Sequence, residues 1–242
     1  MKLQASSITQ LQTILTVCNI CGIETVIIED GAVRGVNEAK TCALISTEHV
    51  PDFSQRIGLG RLGALRARLE LFAGSANLVI DTKETERGEI ASLDISAGRQ
   101  RAQFRCTSSV LIKAPRSIND NAAAVISLQK SECRAVLDAL KVMGSKKAAL
   151  SMRPDGSVAF EAADSSNDIF KIDLDAPAAW VDTDNSPSSS MVYYYPVDTL
   201  APVLRSVCEA DETDLVIGAA GTCRVEIMGH TVTLLPQINE DA

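Results

Sequence analysis

Cations recur on one flank of a predicted helix in the second half of the chain. Apolar residues between Lys130 and Met143 follow the three-and-four spacing of a helix with one buried face. At about 100° per residue, Lys130, Arg134 and Lys141 fall within about 40° of one another on that helix. A row of positive charges can bind a phosphate backbone without reading bases. The spacing therefore predicts an anion-binding ridge.

Other predicted helices carry further cations. The helix predicted in GRLGALRARLELF (60–72) has three arginines beside small residues that leave room for a bulky partner. Two lysines extend the ridge at the end of its helix, a fourth helix has one arginine, and the first helix has no basic residue. The candidate phosphate-binding residues outside the ridge are Arg61, Arg66, Arg68, Lys146, Lys147 and Arg205.

The charge of the whole chain opposes nucleic-acid binding. Its 23 Lys and Arg face 31 Asp and Glu, which gives a net charge of −8. Such a chain repels nucleic acid at long range, so any contact must come from a local basic patch. For a single helix, an ordinary solvated face is the simpler interpretation. A basic bias on several helices of an acidic chain favours the patch.

No arrangement of side chains points to catalysis. His49 and His230 follow or lie in predicted turns, where we expect turn residues and not bases. Nucleophile-elbow, Walker, H-E-x-x-H and dinucleotide-loop motifs are absent, and GLGRLG (58–63) lacks the lysine of a phosphate loop. Carboxylates are spread along predicted strands without an obvious pair. We therefore expect a non-enzymatic protein without a cofactor, and an enzyme stays an open alternative.

The seven cysteines are scattered and odd in number. They lie mostly in apolar segments, which is typical of buried, reduced thiols. Cys18 and Cys21 form a CxxC pair, but no second pair or histidine couple completes a zinc site. We therefore predict neither a metal site nor a redox site.

The elements that position the cations occur twice. Shifting the sequence by 125 residues superposes a helix and its hairpin on a second copy, and such self-similarity indicates a duplicated domain. DLVIG (214–218) likewise echoes NLVID (77–81). The residues superposed by the first shift are Ile8, Leu11, Leu15 and Asp30-Gly31 on Cys133, Val136, Leu140 and Asp155-Gly156.

These repeats predict an α+β fold of two similar domains, each built from two βαβββ units. We place the domains at 1–106 and 124–242, with the linker at 107–123, where periodicity lapses. Lys2–Ala5 is the predicted opening strand, and Ser6 or Ser7 the predicted cap of the first helix. No apolar run approaches the roughly 20 residues that span a bilayer, and the start lacks a signal peptide's apolar core. We therefore expect an intracellular protein without membrane contact.

This organisation resembles the two-domain DNA sliding clamps, which include proliferating cell nuclear antigen and the polymerase clamps of tailed phages. The resemblance is one of architecture and covers essentially the whole chain. GHTVTLLPQINED (229–241) is similar to the family's closing Gly-His, apolar strand, Leu-x-Pro and acidic end, and the opening MKL with its helix also matches. For a phage protein, the compartment would be the host cytoplasm.

The resemblance implies the DNA-clamp fold and the role of a DNA polymerase processivity factor. Such clamps are closed rings of six domains, here a homotrimer, with helices on the inner face of antiparallel sheets. The ring encircles duplex DNA without reading its sequence, tethers the polymerase and other partners, and is opened by an ATP-dependent clamp loader. The cations that match channel helices are Arg61, Arg66, Arg68, Lys130, Arg134, Lys141 and Arg205. Subunits would join by pairing Arg99–Cys106 with Asp168–Leu174 of the neighbouring copy.

The resemblance also implies an apolar pocket beneath the linker for peptides of the polymerase and the loader. The aromatic pair that often precedes the closing leucine is absent, so we expect a different peptide specificity. For the last four residues of the set, a terminal core strand is the alternative. The predicted peptide-binding residues are Val36, Ala43, Leu111, Ile112, Leu234, Leu235, Pro236 and Ile238.

Two alternatives to the clamp hypothesis remain at the level of sequence. One is a clamp-like interaction scaffold that does not encircle DNA, and the other is an unrelated small α+β enzyme. The state of association separates them, because only the ring requires a trimer.

Overall fold

The structure is a computed structural model that describes residues 2–75, 77–86, 88–181 and 188–237. The chain divides into two compact units, one of residues 1–117 with 228–231 and the other of residues 118–227 with 232–242. The division between Ser117 and Ile118 falls inside the segment 107–123. The bounds 1–106 and 124–242 themselves stay a prediction.

In its described residues, the first unit contains two α-helices and two sets of antiparallel strands. The strands follow the orders β3-β2-β1-β4 and β5-β6-β7. The elements are α1 (Ala5–Ile20), β1 (Thr25–Glu29), β2 (Ala32–Val36), β3 (Cys42–Ser46), β4 (Ile57–Gly60), α2 (Leu62–Glu70), β5 (Val79–Glu84), β6 (Ile90–Ala97), β7 (Gln100–Arg105) and a 3-10 helix (Ser109–Leu111).

The core of the first unit explains why α1 forms without a side-chain cap. Gln4 precedes the helix and makes no capping hydrogen bond, and Ser6 and Ser7 lie inside it, so the predicted serine cap is wrong. Leu11 and Ile14 of α1 are fully buried, and α1 packs against α2. Full burial of each such side chain contributes about 1.5–3 kcal/mol. Packing of the apolar face therefore stabilises α1.

The second unit has the same kinds of element. Its strands follow the orders β12-β8-β14-β15-β16 and β11-β10-β9-β13, and α3 packs against α4. The elements are β8 (Ala122–Gln129), α3 (Lys130–Met143), β9 (Lys147–Met152), β10 (Val158–Ala163), β11 (Ile169–Asp173), β12 (Ala179–Trp180), β13 (Met191–Pro196), α4 (Val197–Val207), β14 (Glu212–Gly218), β15 (Cys223–Ile227) and β16 (His230–Leu234).

Both ends of α3 are fixed by specific residues. Gln129 and Glu132 form a capping box, in which the Gln129 main-chain nitrogen donates to Glu132 Oε2 at 2.8 Å. Glu132 Oε1 accepts a second hydrogen bond, from the Asp175 nitrogen at 2.7 Å. Gly144 ends the helix at a φ of 59°, a left-handed conformation that glycine adopts without steric cost. The helix therefore begins and ends where the sequence predicts.

The two Asp-Gly turns differ in backbone conformation. Asp30 and Gly31 both have positive φ, at 51° and 69°, as a two-residue primed turn requires. In the second hairpin only Gly156 has a positive φ, and the Asp155 carboxylate instead accepts hydrogen bonds from the nitrogen and hydroxyl of Ser157. Both predicted hairpins are confirmed, and both central residues of the turn have positive φ only at Asp30-Gly31.

The predicted fold class is confirmed, with local corrections. Three of the four repeats contain a strand, a helix and three strands within the described residues. The opening strand is wrong as predicted, because α1 already begins at Ala5 and Lys2 forms only an isolated bridge to Asp81. The strand that leads into α2 has four residues, Ile57–Gly60.

All seven cysteines are free, and six of them are buried. Burial raises the pKa of the Cys106 and Cys223 thiols to about 12, which leaves them protonated at neutral pH. None of the helices in the described part of the chain is both long and apolar enough to cross a membrane.

Candidate nucleic-acid interface

The cations of α3 lie on its solvent side. Cys133, Val136 and Leu140 are buried, which fixes the rotation of the helix about its axis. Arg134 and Lys141 are exposed as a result, and Lys130 is half-buried at the first turn. The structure therefore places these three side chains along one helix, at positions open to a ligand.

Glu209, just beyond the end of α4, binds two of these cations. Arg134 Nη2 lies 2.9 Å from Glu209 Oε1 and 3.1 Å from Oε2, and Lys130 Nζ lies 3.0 Å from Oε2. Lys130 Nζ also donates to the Glu209 main-chain carbonyl oxygen at 3.0 Å. Arg134, and after it Lys130, lower the pKa of the Glu209 carboxyl below its ordinary value. This carboxylate is therefore ionised at neutral pH.

Lys141 and Arg205 are two further candidate cations of the second unit. Both side chains are exposed, Lys141 in the last turn of α3 and Arg205 in the last turn of α4. Neither forms an ion pair with another described residue. Cations near a helix C-terminus are also stabilised by the negative end of the helix dipole. These two residues can meet an anion without first breaking an ion pair.

The arginines of α2 are held by neighbours in the first unit. The guanidinium carbons of Arg61 and Arg68 lie 5.5 and 5.8 Å from the centre of the Phe104 ring, within cation–π range. Arg66 Nε forms an ion pair with Glu70 at 3.0 Å. Arg61 is exposed, and Arg66 and Arg68 are half-buried. Arg61 and Arg68 therefore share one aromatic neighbour, whereas Arg66 is paired with an acidic residue of α2.

Lys146 and Lys147 lie beyond the end of α3, not on the helix itself. The helix ends at Met143, Lys146 is exposed, and Lys147 is the first residue of β9. Both line a cavity of about 510 Å³ that also contains Glu161, Asp164 and Tyr194. Their neighbours therefore include acidic side chains, and their role in binding DNA stays a prediction.

In the first unit, the residues predicted to bind partner peptides differ in accessibility. Val36 is half-buried and pairs with Ala43, which is fully buried. Leu111 is 75% exposed at the end of the 3-10 helix, whereas Ile112 is buried. A ligand could therefore touch the side chains of Val36 and Leu111 but not those of Ala43 and Ile112.

In the second unit, Leu234 is buried at the end of β16, and Leu235 and Pro236 are half-buried. The burial of Leu234 agrees with the terminal core strand that was its alternative interpretation. Ile238 lies outside the described residues. Among the described residues predicted to bind peptides in the second unit, Leu235 and Pro236 are thus the ones that a ligand can reach.

The two histidines are neighbours, with ring centroids 6.4 Å apart. His230 begins β16 and is fully buried, with Nδ1 3.2 Å from Ser46 Oγ. Burial, and after it the neighbouring His49, lower the pKa of His230, so its ring is neutral at pH 7. His49 has a φ of 52° and lies in a turn. Among the described residues, no group of three or more His, Cys, Asp and Glu could hold a metal ion.

Comparison with solved structures identifies the fold. The chain superposes on proliferating cell nuclear antigen from Entamoeba histolytica with a TM-score of 0.64 at 10% identity, covering 98% of both chains. Proliferating cell nuclear antigen of A. fulgidus, solved with the C-terminal region of FEN-1, gives 0.65 at 13%, covering 99% of both. The chain has the sliding-clamp fold.

A longer structure with this fold also matches. DNA polymerase III subunit beta from Pseudomonas aeruginosa gives a TM-score of 0.67 at 15% identity. The match covers 100% of this chain and 65% of the bacterial one. No family model and no curated protein matches the sequence. The likeness is thus one of three-dimensional structure.

Two strands of this sliding-clamp fold end their sheets, one in each unit. In the first unit β7 is at the end of the order β5-β6-β7, with Arg101 and Arg105 exposed. In the second unit β11 is at the end of the order β11-β10-β9-β13, with Ile169 70% exposed and Asp173 exposed. Within the described residues neither strand is paired on its outer side. Each thus offers free main-chain hydrogen-bonding groups.

Sequence reasoning missed Glu209, Phe104 and the burial of Glu132. Glu209 follows its helix by two residues and meets Arg134 across 75 positions of sequence, so no local pattern marks it. Phe104 is the apolar residue in QRAQFR and is buried among polar neighbours, which could have marked it as a packing residue. Glu132 stands three residues after Gln129, the spacing of a capping box, and that signal was available.

Proposed function

We propose that this protein is a sliding clamp: a ring that encircles duplex DNA and tethers a DNA polymerase to it. The observation that carries the proposal is the likeness to proliferating cell nuclear antigen over 98% of the chain. Another similar structure is that of a DNA polymerase sliding clamp. The function is one of binding, so it requires no catalytic residue and no cofactor.

The DNA contacts in this proposal are weak and made to phosphate. The cations predicted for this surface include exposed side chains on α3 and α4 and beside the start of α2, whereas the chain as a whole carries −8. A local positive surface attracts the backbone, and the surrounding negative charge limits long-range attraction. Weak contacts without base readout allow the ring to move along the duplex.

The ring is a homotrimer joined through strand edges. In our proposal β7 of one copy pairs with β11 of the next, as the sequence resemblance implies. In that pairing the exposed arginines of β7 would approach the exposed aspartates Asp168 and Asp173, which flank and end β11 beside Lys171. The outward Ile169 side chain becomes covered. Such pairing removes two free sheet edges in every copy.

Tethering converts weak binding into processive synthesis. A polymerase peptide bound to the clamp keeps the enzyme at high effective concentration near its template. Partner peptides of the polymerase and of an ATP-dependent loader would contact the accessible members of the predicted set. These are Val36, Leu111, Leu235 and Pro236. The structure of A. fulgidus proliferating cell nuclear antigen with the FEN-1 C-terminal region supports peptide binding as a property of the fold.

Two measurements test the proposal. Sedimentation equilibrium should give a mass three times the 25.8 kDa of the chain. A linear duplex incubated with the trimer and then blocked at both ends should retain protein through a high-salt wash, whereas a duplex with free ends should lose it. If the trimer is retained equally on duplexes with blocked and with free ends, it is a scaffold that does not encircle DNA. A monomer at all concentrations would overturn the clamp.

A further inference from the structure

The Glu209 carboxylate bridges Lys130 and Arg134, two of the cations predicted to bind phosphate. It presents both oxygens to Arg134 Nη2 and one of them to Lys130 Nζ, all within 3.1 Å. The carboxylate is 72% exposed, so it is not held there by burial. An exposed anion bound by two exposed or half-buried cations is the arrangement that a phosphate group forms with a Lys-Arg pair.

The internal repeat shows that this anion accompanies the cations. With the 125-residue shift, Lys130 and Arg134 correspond to Ala5 and Thr9 of α1, which carry no charge. With the shift that aligns DLVIG and NLVID, Glu209 corresponds to Phe72. Phe72 is buried. The first unit thus lacks both the two cations and the carboxylate. This suggests that Glu209 is present because of the cations and is not needed to pack one helix against the other.

We propose that Glu209 is an internal competitor that a DNA phosphate must displace from Arg134 and Lys130, and that it weakens the grip of the clamp on DNA. The inference rests on the proposed function and adds to it the residue that sets the strength of the contact. Exposed ion pairs are weak, so exchange of a carboxylate for a phosphate is close to balanced. Each exchange releases fewer counterions than binding of a phosphate to a free cation.

The salt dependence of DNA binding shows whether Glu209 competes with phosphate. Each phosphate neutralised by a free cation steepens the slope of log K against log salt by about 0.9. In Glu209→Gln the carboxylate charge is lost and Arg134 becomes free, whereas the main-chain carbonyl of residue 209 still accepts from Lys130. We therefore expect a slope steeper by about one and several-fold tighter binding at low salt.

The experiment measures binding of the full chain to a labelled linear duplex over a salt series. Asp94→Asn is the matched control, because Asp94 pairs with Lys83 at 2.7 Å on strands outside the predicted DNA surface. It should leave the slope unchanged. In a Lys130→Ala, Arg134→Ala background, Glu209→Gln should add nothing. Thermal unfolding of each variant shows whether the fold is intact.

Three results would overturn the inference. Glu209→Gln could lower the unfolding temperature and leave the slope as in the wild type, which would make Glu209 a tether between α3 and α4. It could steepen the slope equally in the double-alanine background, which would be a general charge effect. In both cases duplex binding by the wild type leaves the clamp proposal standing. A wild type without affinity for duplex at any salt would instead remove the proposed function and this inference with it.

Discussion

Thr222 donates two hydrogen bonds to one carboxylate oxygen of Asp120, from its main-chain nitrogen at 3.1 Å and from its hydroxyl at 2.7 Å. The other oxygen accepts from the Ala220 nitrogen at 2.9 Å. A Cβ on Gly218 would lie 2.0 Å from this carboxylate, so the turn after β14 closes directly around it. Asp120 therefore anchors the segment before β8 to the second unit.

Asp120→Asn should destabilise the protein. The amide group that replaces one oxygen is a donor and would face main-chain or hydroxyl donors, so at least one of the three hydrogen bonds is lost. We expect a decrease of about 1–3 kcal/mol in the free energy of unfolding, measured by urea denaturation. Asp52→Asn, at an exposed position, is the control and should change it little.

The same carboxylate should contribute to acid sensitivity. Partial burial alone would raise the pKa of Asp120, but the hydrogen bonds from Ala220 and Thr222 together lower it below its ordinary value. A group whose pKa is lower in the folded state stabilises the fold above its unfolded pKa of about 3.9. That contribution is lost as pH falls through the folded value. The stability of Asp120→Asn should thus fall less than that of the wild type below about pH 4. Parallel curves would contradict this role.

Ile169→Asp should prevent trimer formation without unfolding the chain. The side chain is 70% exposed on β11, the strand that we propose to pair with the next copy. A buried, unpaired carboxylate there would oppose association strongly. Val192→Asp on β13, at the opposite end of the same four strands, is the matched control. Sedimentation should show a monomer for the first variant and a trimer for the second. A trimer in both would place the interface elsewhere.

Reversing the charges of Lys130, Arg134 and Lys141 to Glu should weaken duplex binding and processive synthesis while the trimer persists. Three lost phosphate contacts should flatten the salt slope by up to about three. The control reverses Lys113, Arg116 and Arg153, which are exposed and lie outside the helices. Equal losses in both variants would mean that net charge alone matters. Unchanged synthesis after the first reversal would argue against this surface.

Local sequence pattern predicts a helix such as α3, but it does not predict which distant residues pair with the charges of that helix. The apolar spacing from Cys133 to Leu140 predicts α3, because helix formation depends on neighbours three and four residues apart. The ion pair of Arg134 with Glu209 depends on how α3 packs against α4, 75 residues on. Glu132 is buried and caps the helix, whereas a charged residue of an exposed helix is expected to face solvent. The spacing of the capping box is local, but the second hydrogen bond of Glu132 comes from Asp175, which is remote in sequence, so the local pattern does not reveal it.

Arg61 combines a stabilising side-chain contact with a backbone conformation that is unfavourable for a residue with a Cβ. It precedes α2 at a φ of 54°, a left-handed conformation that costs a residue with a Cβ about 1–2 kcal/mol, and its guanidinium stacks on Phe104. Arg61→Ala loses the stacking, worth about 0.5–1 kcal/mol, and keeps the backbone cost. Arg61→Gly loses the stacking but relieves the backbone. Urea denaturation should therefore find the glycine variant more stable than the alanine variant by about 1 kcal/mol.

Gly63, two residues on, is the control for the backbone part of this prediction. It lies inside α2 without a positive φ, and a Cβ there would meet nothing within 4 Å. Gly63→Ala should therefore stabilise the protein by about 0.5–1 kcal/mol, the opposite preference from position 61. If alanine is preferred at both positions, Arg61 does not hold a left-handed conformation in solution. If glycine is preferred at both, α2 does not extend through residue 63.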